Sequence, residues 1–208
     1  MTENLLDNSA AIVERLAGLG SPHVAALETY AKALRHTYGE VPHFDPFDGG
    51  IDARLLFLLS TPGPSSAAIR FTSRDNPTGT ARTLRRLFAV SRVSRRDTVL
   101  WNAVPWTLPR RGRALGLPSS RDRAAARVIL PDLLDLMPRL EAVVLLGAVA
   151  GALAEQVRER VAAVLTAPHP SPANLAADRS AFGRLEQAFT EAAALCRTEG
   201  ATDLRLEH

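Results

Sequence analysis

The chain has 208 residues, 46% of them hydrophobic, with 25 basic against 22 acidic side chains and a net charge of +3. That length and apolar content suit one domain with a substantial core, and no run approaches the roughly eighteen apolar residues of a membrane-spanning helix. The single cysteine, Cys196, excludes a disulfide framework and any four-cysteine zinc or iron–sulfur site, and its Ala-rich surroundings read as core packing. Met1-Thr2-Glu3-Asn4 lacks the basic start of a secretory signal, so a soluble cytoplasmic protein, acting as a monomer, is expected. Leu206-Glu207-His208 looks like the start of an expression tag, which leaves one domain over residues 1–205.

In chain order, Ser9 to Leu19 shows helical spacing and stops at Gly20. Ser21-Pro22 then opens a second helix to about Tyr38. Residues 41–50, rich in Pro, Asp and Gly, read as a loop, so residues 1–50 supply helices and loop ahead of a core over 53–185. Four nearly continuous apolar runs follow: Ala53–Ser60, Thr98–Val104, Ala142–Gly147 and Val161–Ala167, as expected of strands buried on both faces. Helical patterns at about Thr80–Val90, Ser119–Leu136 and Ala148–Glu159 separate them, and a long amphipathic helix over roughly Ala173–Thr198 closes the chain. Alternating strands and helices predict an α/β fold, a three-layer α/β/α sandwich around a four-stranded parallel sheet.

Charge is segregated along this pattern. Residues 70–127 hold 14 arginines against Asp75, Asp97 and Asp122, a balance of +11, while the remainder carries 11 basic and 19 acidic residues, or −8. A block of that sign suits a polyanionic partner, though it also fits a plain solvated surface.

In a parallel sheet the carboxyl ends of the strands share one edge, where ligands bind. The first run ends in Ser60-Thr61-Pro62-Gly63-Pro64-Ser65, the second at Asn102-Ala103-Val104-Pro105-Trp106, the third at Gly147-Ala148 and the fourth at His169-Pro170-Ser171-Pro172. His169 is clamped between prolines that fix the backbone on either side, as a structural loop or as a stiff arm for the imidazole. Asn102 interrupts an apolar run, and a buried amide there costs about 1–3 kcal/mol unless paired, either with nearby backbone or with a planar ligand edge. Trp101 reads as core, whereas Trp106, past the strand end, is either core or a stacking platform for bases.

Taken together these pieces resemble the uracil-DNA glycosylase superfamily over roughly residues 53–185. Leu58-Leu59-Ser60-Thr61-Pro62-Gly63 is similar to its first motif, and Phe71 stands where these enzymes place an aromatic against the flipped base. Asn76-Pro77-Thr78-Gly79-Thr80 resembles the loop and helix that follow. Leu100-Trp101-Asn102-Ala103-Val104 resembles the base-reading strand, Val143-Val144-Leu145-Leu146-Gly147-Ala148 the third strand, and His169-Pro170-Ser171-Pro172 the final catalytic motif.

The resemblance implies cleavage of the N-glycosidic bond of uracil or a related deaminated base in DNA, without a metal or cofactor. His169 would stabilise the departing base anion, Asn102 would read the base edge, and Phe71, Pro62 and Gly63 would hold the base. DNA contacts would come from Ser65, Arg74, Asn76, Pro77, Thr78, Arg82, Ser171 and Asn174, from helix starts near Ser65 and Thr80, and from Arg70, Arg85 and Arg86. The chain departs from the family where a carboxylate or amide positions the attacking water. Thr61 stands there, so Asp75 or Asn76 from the adjacent loop is a candidate substitute. Leu175 is either the wedge that fills the gap left by the base or the first core residue of the last helix. Two further readings remain: a catalytically silent nucleic-acid binder of the same superfamily, and a Ser–His hydrolase using Ser60 or Ser171, which lacks the Gly-x-Ser-x-Gly elbow.

Overall fold

The computed structural model describes residues 5–65, 67–111 and 114–198; the segment 206–208 lies outside them. Its centre is an all-parallel sheet of β1 (Leu55–Leu59), β2 (Thr98–Asn102), β3 (Ala142–Leu146) and β4 (Ala163–Ala167), in the order β2-β1-β3-β4. The first three strands are buried along their whole length, which explains their unbroken apolar sequences. Strand β4 sits at the edge, half-buried, with Thr166 exposed. Leu55 pairs with both Thr98 and Ala142, and Ala142 with Ala163, so the strands start level and end on one edge.

Alternate strand residues feed two cores. Leu56, Leu58, Val99, Trp101, Val143 and Leu145 pack against α2 (Pro22–Tyr38) and α4 (Ser120–Asp135). Leu55, Phe57, Leu100, Val144 and Leu146 face α3 (Gly79–Ser91) and α8 (Ala181–Thr198). With a core on each face of the sheet, the fold is the expected three-layer sandwich. Helix α1 (Ser9–Gly18) is capped by Asn8, whose side chain accepts the Ala10 N–H, and α4 by a reciprocal Ser119–Asp122 capping box; caps of this kind are worth about 1 kcal/mol each.

Three expectations need correction. The helix expected over 148–159 is two short ones, α5 (Ala148–Gly151) and α6 (Ala154–Arg158). At their junction Leu153 N–H bonds back to Ala150 O, tightening the turn so that Ala150, Leu153 and Val157 are all buried. The closing helix also breaks, into α7 (Pro172–Ala177) and α8, because the Asp178 carboxylate accepts both the backbone N–H and the hydroxyl of Ser180 and its backbone turns extended. No helix starts at Ser65; its hydroxyl accepts the Ala67 N–H within a loop.

The segment 41–50 is more than a connecting loop. His43–Phe44 pairs in parallel with Phe71–Thr72, and Phe44 stacks on Trp101 with ring centroids 3.6 Å apart. Asp45 and Asp48 are buried in an ionic network with Asp75, Arg15, Arg74 and Arg95. Arg95 bridges all three carboxylates at 2.7–2.9 Å. Among the described residues no helix is long and apolar enough to cross a membrane.

Candidate active site

The site is the shared carboxyl edge of the sheet. Pairing between β1 and β2 continues past Asn102, with Ala103 N–H donating to Leu59 O and Val104 N–H to Ser60 O, so the Ser60-Thr61-Pro62 turn lies beside Asn102. On the other flank, Gly147 follows β3 with φ +93°, a conformation that excludes ordinary side chains. A Cβ there would also meet His169 Cβ at 2.9 Å and Ser60 Oγ at 3.4 Å. The glycine thus lets the His169 loop close against Ser60. Likewise a Cβ at Gly79 would sit 2.4 Å from Pro172 Cγ, so the start of α3 packs directly on the histidine loop.

Asn102 is buried, and its Nδ2 donates to Thr72 Oγ1 at 3.2 Å. That bond to Thr72 is the one side-chain hydrogen bond Asn102 makes among the described residues, which leaves its second amide hydrogen and Oδ1 open. His169 is half-buried, and desolvation holds its pKa below the ordinary imidazole value, so the ring is neutral at neutral pH. Asn174 Nδ2 donates to the His169 carbonyl at 3.2 Å, and Ser171 caps α7, so both steady the loop that carries the ring. A cavity of about 790 Å³ opens beside the imidazole, lined by Ser60, Gly147, Ala148, Thr166, Pro168, His169, Asn174 and Arg184 among others. Asn102 and Phe71 lie outside its lining.

Phe71 is buried, tilted against His43 with ring centroids 5.3 Å apart, and its carbonyl accepts from Asn76 Nδ2 at 2.9 Å. Thr61 is half-buried, Pro62 buried and Gly63 exposed beside the turn. Thr78 caps α3 through its hydroxyl, and Pro77 and Arg82 are exposed at the start of that helix.

The family model of the uracil DNA glycosylase superfamily matches residues 46–193, which include all four strands and their carboxyl ends. The chain belongs to the uracil DNA glycosylase superfamily. None of the curated proteins matches it.

Within this superfamily frame, several expected site residues are spent elsewhere. Asp75, expected as a candidate to position water, is engaged instead in the buried network: its Oδ2 accepts from Arg15 at 2.5 Å and from Arg95 at 2.7 Å. Asn76 commits its amide nitrogen to Phe71 O. Arg74 is not a phosphate contact, because its buried guanidinium binds Thr98 and Asp48 and lies 3.7 Å over the Phe88 ring. Arg70 and Arg85 are likewise engaged, Arg85 donating to the Arg74 carbonyl at 2.7 Å. Trp106 is core, stacked on Tyr38 with its indole N–H on Asp122, and Leu175 packs against the α3–α8 core.

The sequence reading missed Thr72, which orients Asn102, and the Glu28–His43 pair, at 2.8 Å, behind Phe71. No spacing signal marks either, since each partner arrives from a different segment. Among the described residues no group of His, Cys, Asp and Glu is arranged to hold a metal ion.

Proposed function

We propose that the protein hydrolyses the N-glycosidic bond of uracil, or a related deaminated base, in DNA. The observation that carries this reading is Asn102. It is a buried amide at a strand end, oriented by Thr72, with one N–H and one carbonyl oxygen left for a ligand. That donor–acceptor pair complements the O4 and N3–H edge of uracil. Cytosine presents the opposite polarity, and buried polar groups left unpaired discriminate strongly. In the reaction the bond from C1′ to the base breaks with its electron pair leaving on the base as an anion, water adds at C1′, and the proton that the bound water sheds passes to solvent. His169 donates a hydrogen bond to the developing charge on O2, for which the neutral ring is sufficient. Phe71 forms one wall of the base site, and Arg82 and Arg86, exposed on α3, meet phosphates.

Thr61 and Ser60 offer hydroxyls that orient water but do not accept its proton at neutral pH. Acid–base help worth about a hundred- to ten-thousand-fold is therefore absent, and catalysis rests on anion stabilisation. The same departure, with Asp75 locked in its ion network, favours the second reading of a silent binder.

Oligonucleotides carrying uracil, hypoxanthine or a T:G mismatch, incubated with the protein and then treated with alkali, separate the two. We expect strand cleavage at uracil, reduced about 100- to 1,000-fold in His169→Ala, and increased in Thr61→Asp. DNA binding without cleavage on any substrate leaves the silent binder standing.

A further inference from the structure

Arg70 stands one residue before Phe71, in the basic segment that reads from sequence as a phosphate-binding surface. Its guanidinium is turned inward instead, with the side chain only 10% exposed. Nη1 donates to Glu40 Oε1 at 2.8 Å and to Thr107 Oγ1 at 2.7 Å, and Nη2 donates to the Gly63 carbonyl. The Arg70 carbonyl accepts the His43 N–H at 2.7 Å, and the Thr107 N–H donates to Glu40 O at 2.8 Å. One side chain thus joins the Pro62-Gly63 turn, the segment that follows Asn102 and the strand pair that carries Phe71.

Among the described residues the turn is otherwise held only at its start, where Pro62 is buried and Ser60 O accepts the Val104 N–H, and its far side is open. A Cβ at Gly63 would meet nothing within 4 Å, and Pro64 and Ser65 are exposed. Glu40 offsets the guanidinium's charge, which weakens its pull on a phosphate.

We infer that Arg70 is a positioning residue: it latches the Thr61-Pro62-Gly63 turn to the Asn102 strand end and to Phe71, and contacts no phosphate. The inference rests on the glycosylase reading for its catalytic consequence. A misplacement of about 1 Å costs on the order of a hundredfold in rate, so a loose turn slows base release while affinity for DNA is kept.

The test compares the full-length protein with Arg70→Ala, Arg70→Lys and Arg82→Ala on a uracil-containing single strand. Single-turnover base release, the salt dependence of binding and amide hydrogen exchange are all measured. Arg70→Ala should slow release about ten- to a hundredfold, leave the slope of log Kd against log salt unchanged, and raise exchange in residues 60–65. Arg70→Lys should fall between, because one ammonium reaches Gly63 O without bridging all three partners. Arg82→Ala should lower the salt slope by about one.

A loss of about one in the slope for Arg70→Ala, or unchanged exchange at the turn, overturns the inference. So does a rise in exchange spread across the whole sheet, which would mark a general structural role. Absence of base release from the unaltered protein counts against the glycosylase reading; the exchange and salt measurements then still decide whether Arg70 is a latch.

Discussion

His169 is neutral because the fold strips water from its ring, and this has a consequence for stability that the variant His169→Gln isolates. Its folded pKa lies below the ordinary value of 6.5, so between the two values the unfolded chain binds a proton that the folded chain does not. Stability from this group is therefore present above about pH 6.5 and is lost as pH falls toward the folded pKa. Asp48 acts in the opposite sense: burial pushes its carboxyl up to about 6, so the folded state binds the extra proton as pH falls. Asp48 is unchanged in the variant and cancels in the comparison. Thermal melts at about pH 7 and about pH 5 should show the unaltered protein losing more Tm than His169→Gln. An equal or smaller loss would mean that the ring is solvated. His169 and Asn102 were legible because each breaks a local rule, a histidine between prolines and an amide inside an apolar run. Thr72 and Arg70 break none; Thr72 meets Asn102 across 30 residues, and Arg70 joins the nearby Gly63 to Glu40 and Thr107, which lie 30 and 37 residues away.

At the level of elements, the four strands and the helices α1 to α4 were legible to within a few residues, because burial on one or two faces writes itself into periodicity. The broken helices were not, since Asp178-Arg179-Ser180 and Ala152-Leu153 interrupt the helix through hydrogen bonds that leave the apolar spacing intact. The junction between β3 and α5 was legible only as a glycine. The structure adds that this glycine must be one. Gly147→Ala combines a positive φ, worth about 1–3 kcal/mol of strain, with a Cβ forced to 2.9 Å from His169 Cβ. The displacement falls on the histidine loop, because the Gly147 N–H is tied to Ala167 O at 2.9 Å. We expect Gly147→Ala to lower the urea midpoint and to slow base release more than any change in DNA affinity explains. Unchanged release by a destabilised variant would show that the His169 loop adjusts independently of β3.

For the whole molecule, the basic block of residues 70–127 proves to be two populations of arginine. Arg82 and Arg86 are exposed on α3, whereas Arg74 and Arg95 face Asp45, Asp48 and Asp75 in a network that also recruits Arg15 from α1. Composition registered only the surplus of charge; which arginines are inward depends on carboxylates from the buried 41–50 segment. That network pins α1, the segment before α3 and the start of β2 together beneath the site, and its three arginines match its three aspartates. Replacing Arg95 by Met keeps much of the side-chain volume over the Phe47 ring but leaves all three aspartates short of a cation. Breaking a buried ion pair from one side costs about 3–5 kcal/mol, while an exposed phosphate contact contributes almost nothing to folding. Urea unfolding should therefore show a loss of that size for Arg95→Met, and its salt slope for DNA binding should match the unaltered protein. Arg82→Ala should do the reverse, holding the midpoint and lowering the slope by about one. If Arg95→Met instead kept its midpoint and lost slope, Arg95 would be reaching the phosphates and the inward network would not be what holds the base of the site.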